Sequence, residues 1–283
     1  MPDHIHYAPR STRIGLIVPS SNTNVEPDCL MLCPTGVTIH SARSGGYDVN
    51  AIPDSTQMRK FVRQSLDQSC KDLMDARVDL IAYGCTSATL ADGPAFDTAF
   101  CAKLTKITGR PAVTTAGALV EAIQHIGAKQ VAFTSPYVRK LSAESVKFLS
   151  DSGINVVNEI GFERELSSLE QNALTPQDAY EMALKADHSD AQAIVISCTD
   201  YRALEAVPAI EKALGKPVIT SNQALMFAGG FWVFPGGSID EQEKDACDGD
   251  MEAAARLAAA REAEEECGLR PRLDEMVKLS QWT

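Results

Sequence analysis

No run of 18 apolar residues occurs in the 283-residue chain, and its first residues carry no basic, apolar, small-residue leader. These absences argue against a membrane span and an export signal, so the expectation is a cytoplasmic protein. Surplus basic charge is missing too. With 38 acidic and 26 basic residues the net charge is -12, which counts against nucleic acid or an anionic membrane as principal partner. Metal-ligand spacing is also lacking: Cys29 and Cys33 lie near each other, but no His or Cys pair follows at a zinc-site interval. The other cysteines stand at 70, 85, 101, 198, 247 and 267 in a chain of α/β periodicity. All eight read as reduced thiols.

What is present is an alternation. After a polar arm, residues 1–12, short Val/Ile-rich runs follow one another: RIGLIVP, VDLIAYGC, RPAVTT, KQVAFTSP, INVVNEI, QAIVISC and KPVITS. Helical stretches separate them, among them TQMRKFVRQSLDQSCKDLMDA and ALEAVPAIEKALG. Continuous apolar strands between helices predict an α/β fold of parallel sheets covered on both faces. In such sheets chemistry gathers at the carboxyl ends of the strands.

Two of those ends are alike. LIAYGCTSATL (80–90) and IVISCTDYRAL (194–204) each run an apolar strand into Cys-Thr and a polar turn opening a helical segment. Cys85 and Cys198 are 113 residues apart, about one small α/β lobe. A duplicated architecture follows, with one thiol from each lobe across a shared cleft. Helix N-termini can lower a thiol pKa toward neutrality, so the expectation is two reactive thiols. Such a pair permits proton transfer on opposite faces of a carbon, or covalent addition by one thiol and protonation by the other. Neither needs a metal or an organic cofactor. Thr86 and Thr199 offer hydroxyls to a substrate carboxylate or to the helix start.

The first strand ends in VPSSNTNVEPD, whose hydroxyl and amide side chains make an anion-binding turn. Asn22 is the candidate carboxylate contact there, with Ser20 and Ser21 supporting it. SPY offers the Tyr137 phenol, and TSN offers Asn222 as a support behind the site.

GLIVPSSNTNVEPD, YGCTSA, AFTSPY, VISCTDYRALEAVPAIEKALGKPV and TSNQALM together resemble the aspartate/glutamate racemase superfamily over about 13–227. The nearest branch contains maleate cis-trans isomerase, with arylmalonate decarboxylase adjacent. The resemblance implies two Rossmann-like lobes related by a pseudo-two-fold axis, a site between them, no cofactor and a possible homodimer. The first lobe is expected over 13–116, its sheet rejoined by 217–227, and the second over 117–216. The resemblance also implies a small dicarboxylate substrate, nucleophilic Cys85, acid/base Cys198, and carboxylate contacts from Asn22, Tyr137 and Asn172. Maleate would become fumarate by thiolate addition, rotation and elimination. Polar residues follow both cysteines where the isomerase pattern has apolar ones, which leaves racemisation open. The decarboxylase pattern has glycine at the first cysteine position, so Cys85 counts against decarboxylation. A non-catalytic ligand-binding or fusion protein is the reading from another class.

Residues 231–283 carry 13 acidic and 6 basic residues, a net of -7, so composition shifts where the pattern shifts. REAEEECGL (261–269) resembles the Nudix helix, which implies a possible Mg²⁺ site at Glu262, Glu265 and Glu266. The segment 228–283 is too short for a whole Nudix sheet, so the expectation is an incomplete piece without hydrolase activity unless another chain completes it.

Overall fold

The computed structural model describes residues 12–34, 36–62 and 66–228, together with 246, 247, 253 and 257. The N-terminal arm and nearly all of the Nudix-like segment, including Glu262, Glu265 and Glu266, lie outside the described residues.

The first lobe begins with β1 (Thr12–Pro19), α1 (Val25–Met31), β2 (Val37–Ser44), α2 (Ser55–Phe61) and α3 (Leu66–Asp75). It continues with β3 (Leu80–Tyr83), α4 (Thr86–Leu90), α5 (Pro94–Thr108), β4 (Ala112–Thr114) and α6 (Thr115–His125). The second lobe runs through β5 (Gln130–Ser135), α7 (Arg139–Asp151), β6 (Asn155–Gly161), α8 (Ser168–Asn172) and α9 (Pro176–Ala186). It ends with β7 (Ala193–Ile196), α10 (Val207–Leu214), β8 (Val218–Thr220) and α11 (Ser221–Met226).

All the pairings are parallel, in the orders β2-β1-β3-β4 and β6-β5-β7-β8. The two sheets therefore repeat one topology, as the matched Cys-Thr ends predict. Central strands β3 and β7 are buried along their whole lengths, which is why they read as unbroken apolar runs. The stops repeat as well: α5 and α10 each end on a left-handed glycine, Gly109 at φ 66° and Gly215 at φ 62°, directly before the last strand of the lobe.

Three expectations change. Strand β2, VTIHSARS, is absent from the predicted set because it is a half-buried edge carrying His40 and Arg43, without a continuous apolar run. The long helix predicted over TQMRKFVRQSLDQSCKDLMDA is two helices. Each buries its own apolar set, Met58 and Phe61 on α2 and Leu66, Cys70 and Leu73 on α3. Finally, 217–227 does not rejoin the first sheet as a strand: β8 pairs with β7, and the helix that follows, α11, packs on α6 and α1. Since β4–α6 and β8–α11 are equivalent units, their helices meet across the pseudo-two-fold axis.

Candidate active site

The carboxyl ends of the two sheets face a common cleft of about 450 Å³, open mouth included. Both thiols line it, with Asn22, Ser21, Thr86, Thr199 and Tyr137. Tyr47, Pro53, Met58 and Phe61 form an apolar wall that sequence reasoning missed, because nothing in SGGYDVN or STQMRKF signals proximity to the thiols. Among the described residues lining the cleft there is no Lys, Arg or His. What the lining offers an anion is therefore neutral side-chain donors and backbone N–H groups.

Cys85 caps α4 in extended conformation at φ -145°. Its Sγ lies 3.7 Å from Ser87 Oγ, whose hydroxyl also reaches Met58 Sδ at 3.1 Å. Cys198 differs: its φ of 145° is a conformation L residues rarely adopt, at a cost on the order of 1–3 kcal/mol. The turn is fixed by its neighbours. Cys198 N donates to Ser221 Oγ at 3.0 Å, and Asp200 N donates to Cys198 Sγ at 3.4 Å.

The expectation that helix N-termini pull both thiols toward neutrality is not met. Burial pushes Cys85 up to about 11, against hydrogen bonds from Ser87 and the Ala88 N–H that lower it. Cys198 is pushed up further, first by burial and then by the Asp200 carboxylate. Burial of the sulfurs outweighs the helix start. Asp200 is itself raised to about 6 by burial, opposed by its bond from Asn172. Burial also holds the Tyr137 phenol well above its ordinary value, so it remains a donor, 3.2 Å from Ser197 Oγ.

The remaining predicted residues divide. Asn22 Oδ1 accepts from the N–H groups of Asn24 and Val25, both at 2.9 Å, while Nδ2 donates to Thr199 Oγ1 at 3.1 Å. One amide hydrogen of Asn22 is left for a ligand. Thr86 Oγ1 donates to Ser221 Oγ at 3.0 Å, and Asn222 Nδ2 reaches Asp28 at 2.7 Å and the Thr199 carbonyl at 3.2 Å. Ser20 is exposed and outside the cleft, whereas Ser21 bonds the Tyr47 hydroxyl at 2.8 Å. Asn172 also stays outside the lining. Its Nδ2 donates to Asp200 Oδ1 at 2.7 Å and to Thr23 Oγ1 at 2.8 Å, tying the lobes together. The preceding residue, Gln171, faces the cleft instead, with Oε1 3.9 Å from Cys198 Sγ. Among the described residues no group of three or more His, Cys, Asp or Glu is placed to hold a metal.

This geometry has counterparts. The family model described as arylmalonate decarboxylase matches residues 14–242. The chain belongs to that family. The match extends past residue 227, where the sequence reading ends the racemase-like lobes. Within the family, the chain is 30% identical to a maleate isomerase of Geobacillus stearothermophilus over 76% of this chain and 89% of the relative. Among solved structures, a maleate isomerase of Pseudomonas putida S16, a Cys-to-Ala variant with maleate, aligns with a TM-score of 0.71 at 29% identity. The alignment covers 77% of this chain and 90% of that one. A maleate cis-trans isomerase of Nocardia farcinica, a Cys-to-Ser variant with a covalently bound succinylcysteine intermediate, aligns with a TM-score of 0.70 at 26% identity. There the alignment covers 77% of this chain and 90% of that one. The fold, two pseudo-symmetric parallel-sheet lobes, and the maleate isomerase branch of the racemase superfamily are thus shared with these relatives.

Proposed function

We propose that the chain isomerises maleate to fumarate without a cofactor, using Cys85 as nucleophile and Cys198 as acid and base. The observation that carries this is the pair of thiols from equivalent positions of the two lobes lining one cleft. The relatives whose names specify maleate isomerase support the substrate, and the succinylcysteine in one of them supports a covalent route.

Asn22, Tyr137 and the helix-start N–H groups hold the substrate carboxylates. Gln171 lines the cleft where Asn172 does not, with its Oε1 toward Cys198 and its Nε2 donating to the Leu166 carbonyl at 3.1 Å. Cys85, raised to about 11, gives its proton to solvent in a minor fraction of molecules; that thiolate adds to one alkene carbon, and the displaced electron pair takes the Cys198 thiol proton at the neighbouring carbon. The product is S-succinyl Cys85 beside a Cys198 thiolate. The former double bond is now single and rotates. Cys198 then removes a proton from the carbon it protonated, the C–S bond breaks as the double bond returns, and fumarate leaves. Both sulfurs end as they began.

Proton NMR of the purified chain with maleate tests this: the fumarate singlet grows in, and Cys85→Ser abolishes it. If maleate stays unchanged and a substituted malonate loses carbon dioxide instead, the reaction is decarboxylation. Exchange of the α-proton of aspartate or glutamate would make it a racemase. A cytoplasmic homodimer without Nudix hydrolysis completes the reading. A monomer by light scattering, or Mg²⁺-dependent nucleotide hydrolysis by the pure chain, would revise those parts. No helix among the described residues is long and apolar enough to cross a membrane.

A further inference from the structure

We propose that Ser87 and Asp200, the residues two positions after each thiol, divide the work of the two cysteines. Ser87 receives the thiolate at Cys85, and Asp200 keeps the proton on Cys198. This rests on the isomerase reading, and it explains which thiol attacks in a pseudo-symmetric site.

The positions are equivalent. Cys85-Thr86-Ser87 follows β3 and Cys198-Thr199-Asp200 follows β7, with one spacing of 113 between all three pairs. What differs is charge. Ser87 offers a hydroxyl at 3.7 Å from Cys85 Sγ, which can turn from Met58 Sδ toward a thiolate, a stronger acceptor. Asp200 instead brings a carboxylate into a cleft whose lining holds no Lys, Arg or His among the described residues. Its carboxylate accepts from Asn172 at 2.7 Å and from the Thr23 N–H. A negative charge held there opposes a second one on Cys198.

Other facing groups do not remove the asymmetry. Around Cys198 these are Cys85, Tyr137, Tyr201, the Gln171 amide and the Asp200 N–H, which donates to the sulfur at 3.4 Å much as the Ala88 N–H does at Cys85. Around Cys85 they are Tyr83, Tyr137 and Asp200 itself, whose charge weighs less there than it does at Cys198. Arg43 and Asn24 act on Asp200 from the first lobe, and both favour its charged form. With Asp200 titrating at about 6, the discrimination is fully present above that pH and fades below it. Ser87 and Asp200 are positioning residues, since each works through its cysteine.

The test is competitive alkylation with iodoacetamide, read at Cys85 and Cys198 by peptide mass spectrometry from about pH 5 to pH 9. In the unmodified chain the Cys85-to-Cys198 labelling ratio is expected to rise as pH passes upward through about 6. Asp200→Asn should flatten that rise and lower the ratio at neutral pH by about tenfold, the equivalent of one pH unit in relative acidity. Ser87→Ala should slow labelling at Cys85 alone. A ratio that is flat with pH in the unmodified chain, or unchanged in folded Asp200→Asn, overturns the proposal. No turnover is needed, so failure of this idea is distinguishable from failure to make fumarate.

Discussion

Asn22 in the first lobe donates to the hydroxyl of Thr199 in the second at 3.1 Å. Thr199 donates onward to the Gly84 carbonyl, the residue before Cys85, at 3.0 Å. One buried hydroxyl therefore joins the anion-binding turn, the strand carrying one thiol and the turn carrying the other.

Thr199→Val keeps the shape and removes both bonds. It leaves a buried Asn22 N–H and the Gly84 carbonyl without this partner, at about 1–3 kcal/mol for each unsatisfied group. Urea unfolding should show the midpoint fall, and an unchanged midpoint would mean that the Thr199 hydroxyl adds nothing to the joint between the lobes.

Replacing the acid/base thiol separates binding from chemistry. Cys198→Ala should lower kcat for maleate by about 10²–10⁴, the usual worth of a positioned proton donor. Maleate should still bind and shift the melting temperature upward. Near-normal kcat in this variant would assign the proton to another group.

The apolar wall should set the size of the substrate. Phe61 is buried, lines the cleft and meets Tyr47 edge-to-face with centroids 5.1 Å apart. Phe61→Ala should cost about 3–5 kcal/mol of stability. It should also improve kcat/KM for a 2-alkyl maleate relative to maleate. Loss of activity toward both in equal measure would speak against a size-selecting wall.

Asp28 gives a pH signature in stability. Burial raises it from 3.8 to about 6, against the bond from Asn222. A carboxyl raised on folding contributes stability fully below its unfolded value, and that contribution is lost as pH climbs to the folded one. Unfolding free energy should therefore fall between about pH 4 and pH 6. Asp28 contributes up to about 3 kcal/mol of that fall, at about 1.4 kcal/mol per pH unit. Asp28→Asn should flatten this part of the profile and be the more stable protein at pH 7. A profile identical to that of the unmodified chain would show that Asp28 does not titrate with folding.

The repeated Cys-Thr strand ends were legible because burial on both faces forces a strand to be apolar throughout, so its end stands out against the polar turn. Strand β2 was hidden for the opposite reason, an edge position that tolerates His40 and Arg43. Asn172 and Gln171 show a finer limit. They are neighbours on one short helix, and a helical step of about 100° decides which of them meets the cleft. Asp200 was visible only as a polar residue after Cys198, since its charge matters through what surrounds it.

The sequence by itself determined the parallel sheets, the duplication and the two thiols at equivalent strand ends, all of which follow from local periodicity and spacing. Only the tertiary structure decided that the thiols are raised rather than lowered, that Met58 and Phe61 wall the cleft, and that Asn172 binds Asp200. Those depend on desolvation and on groups far apart in the chain, which no local pattern records.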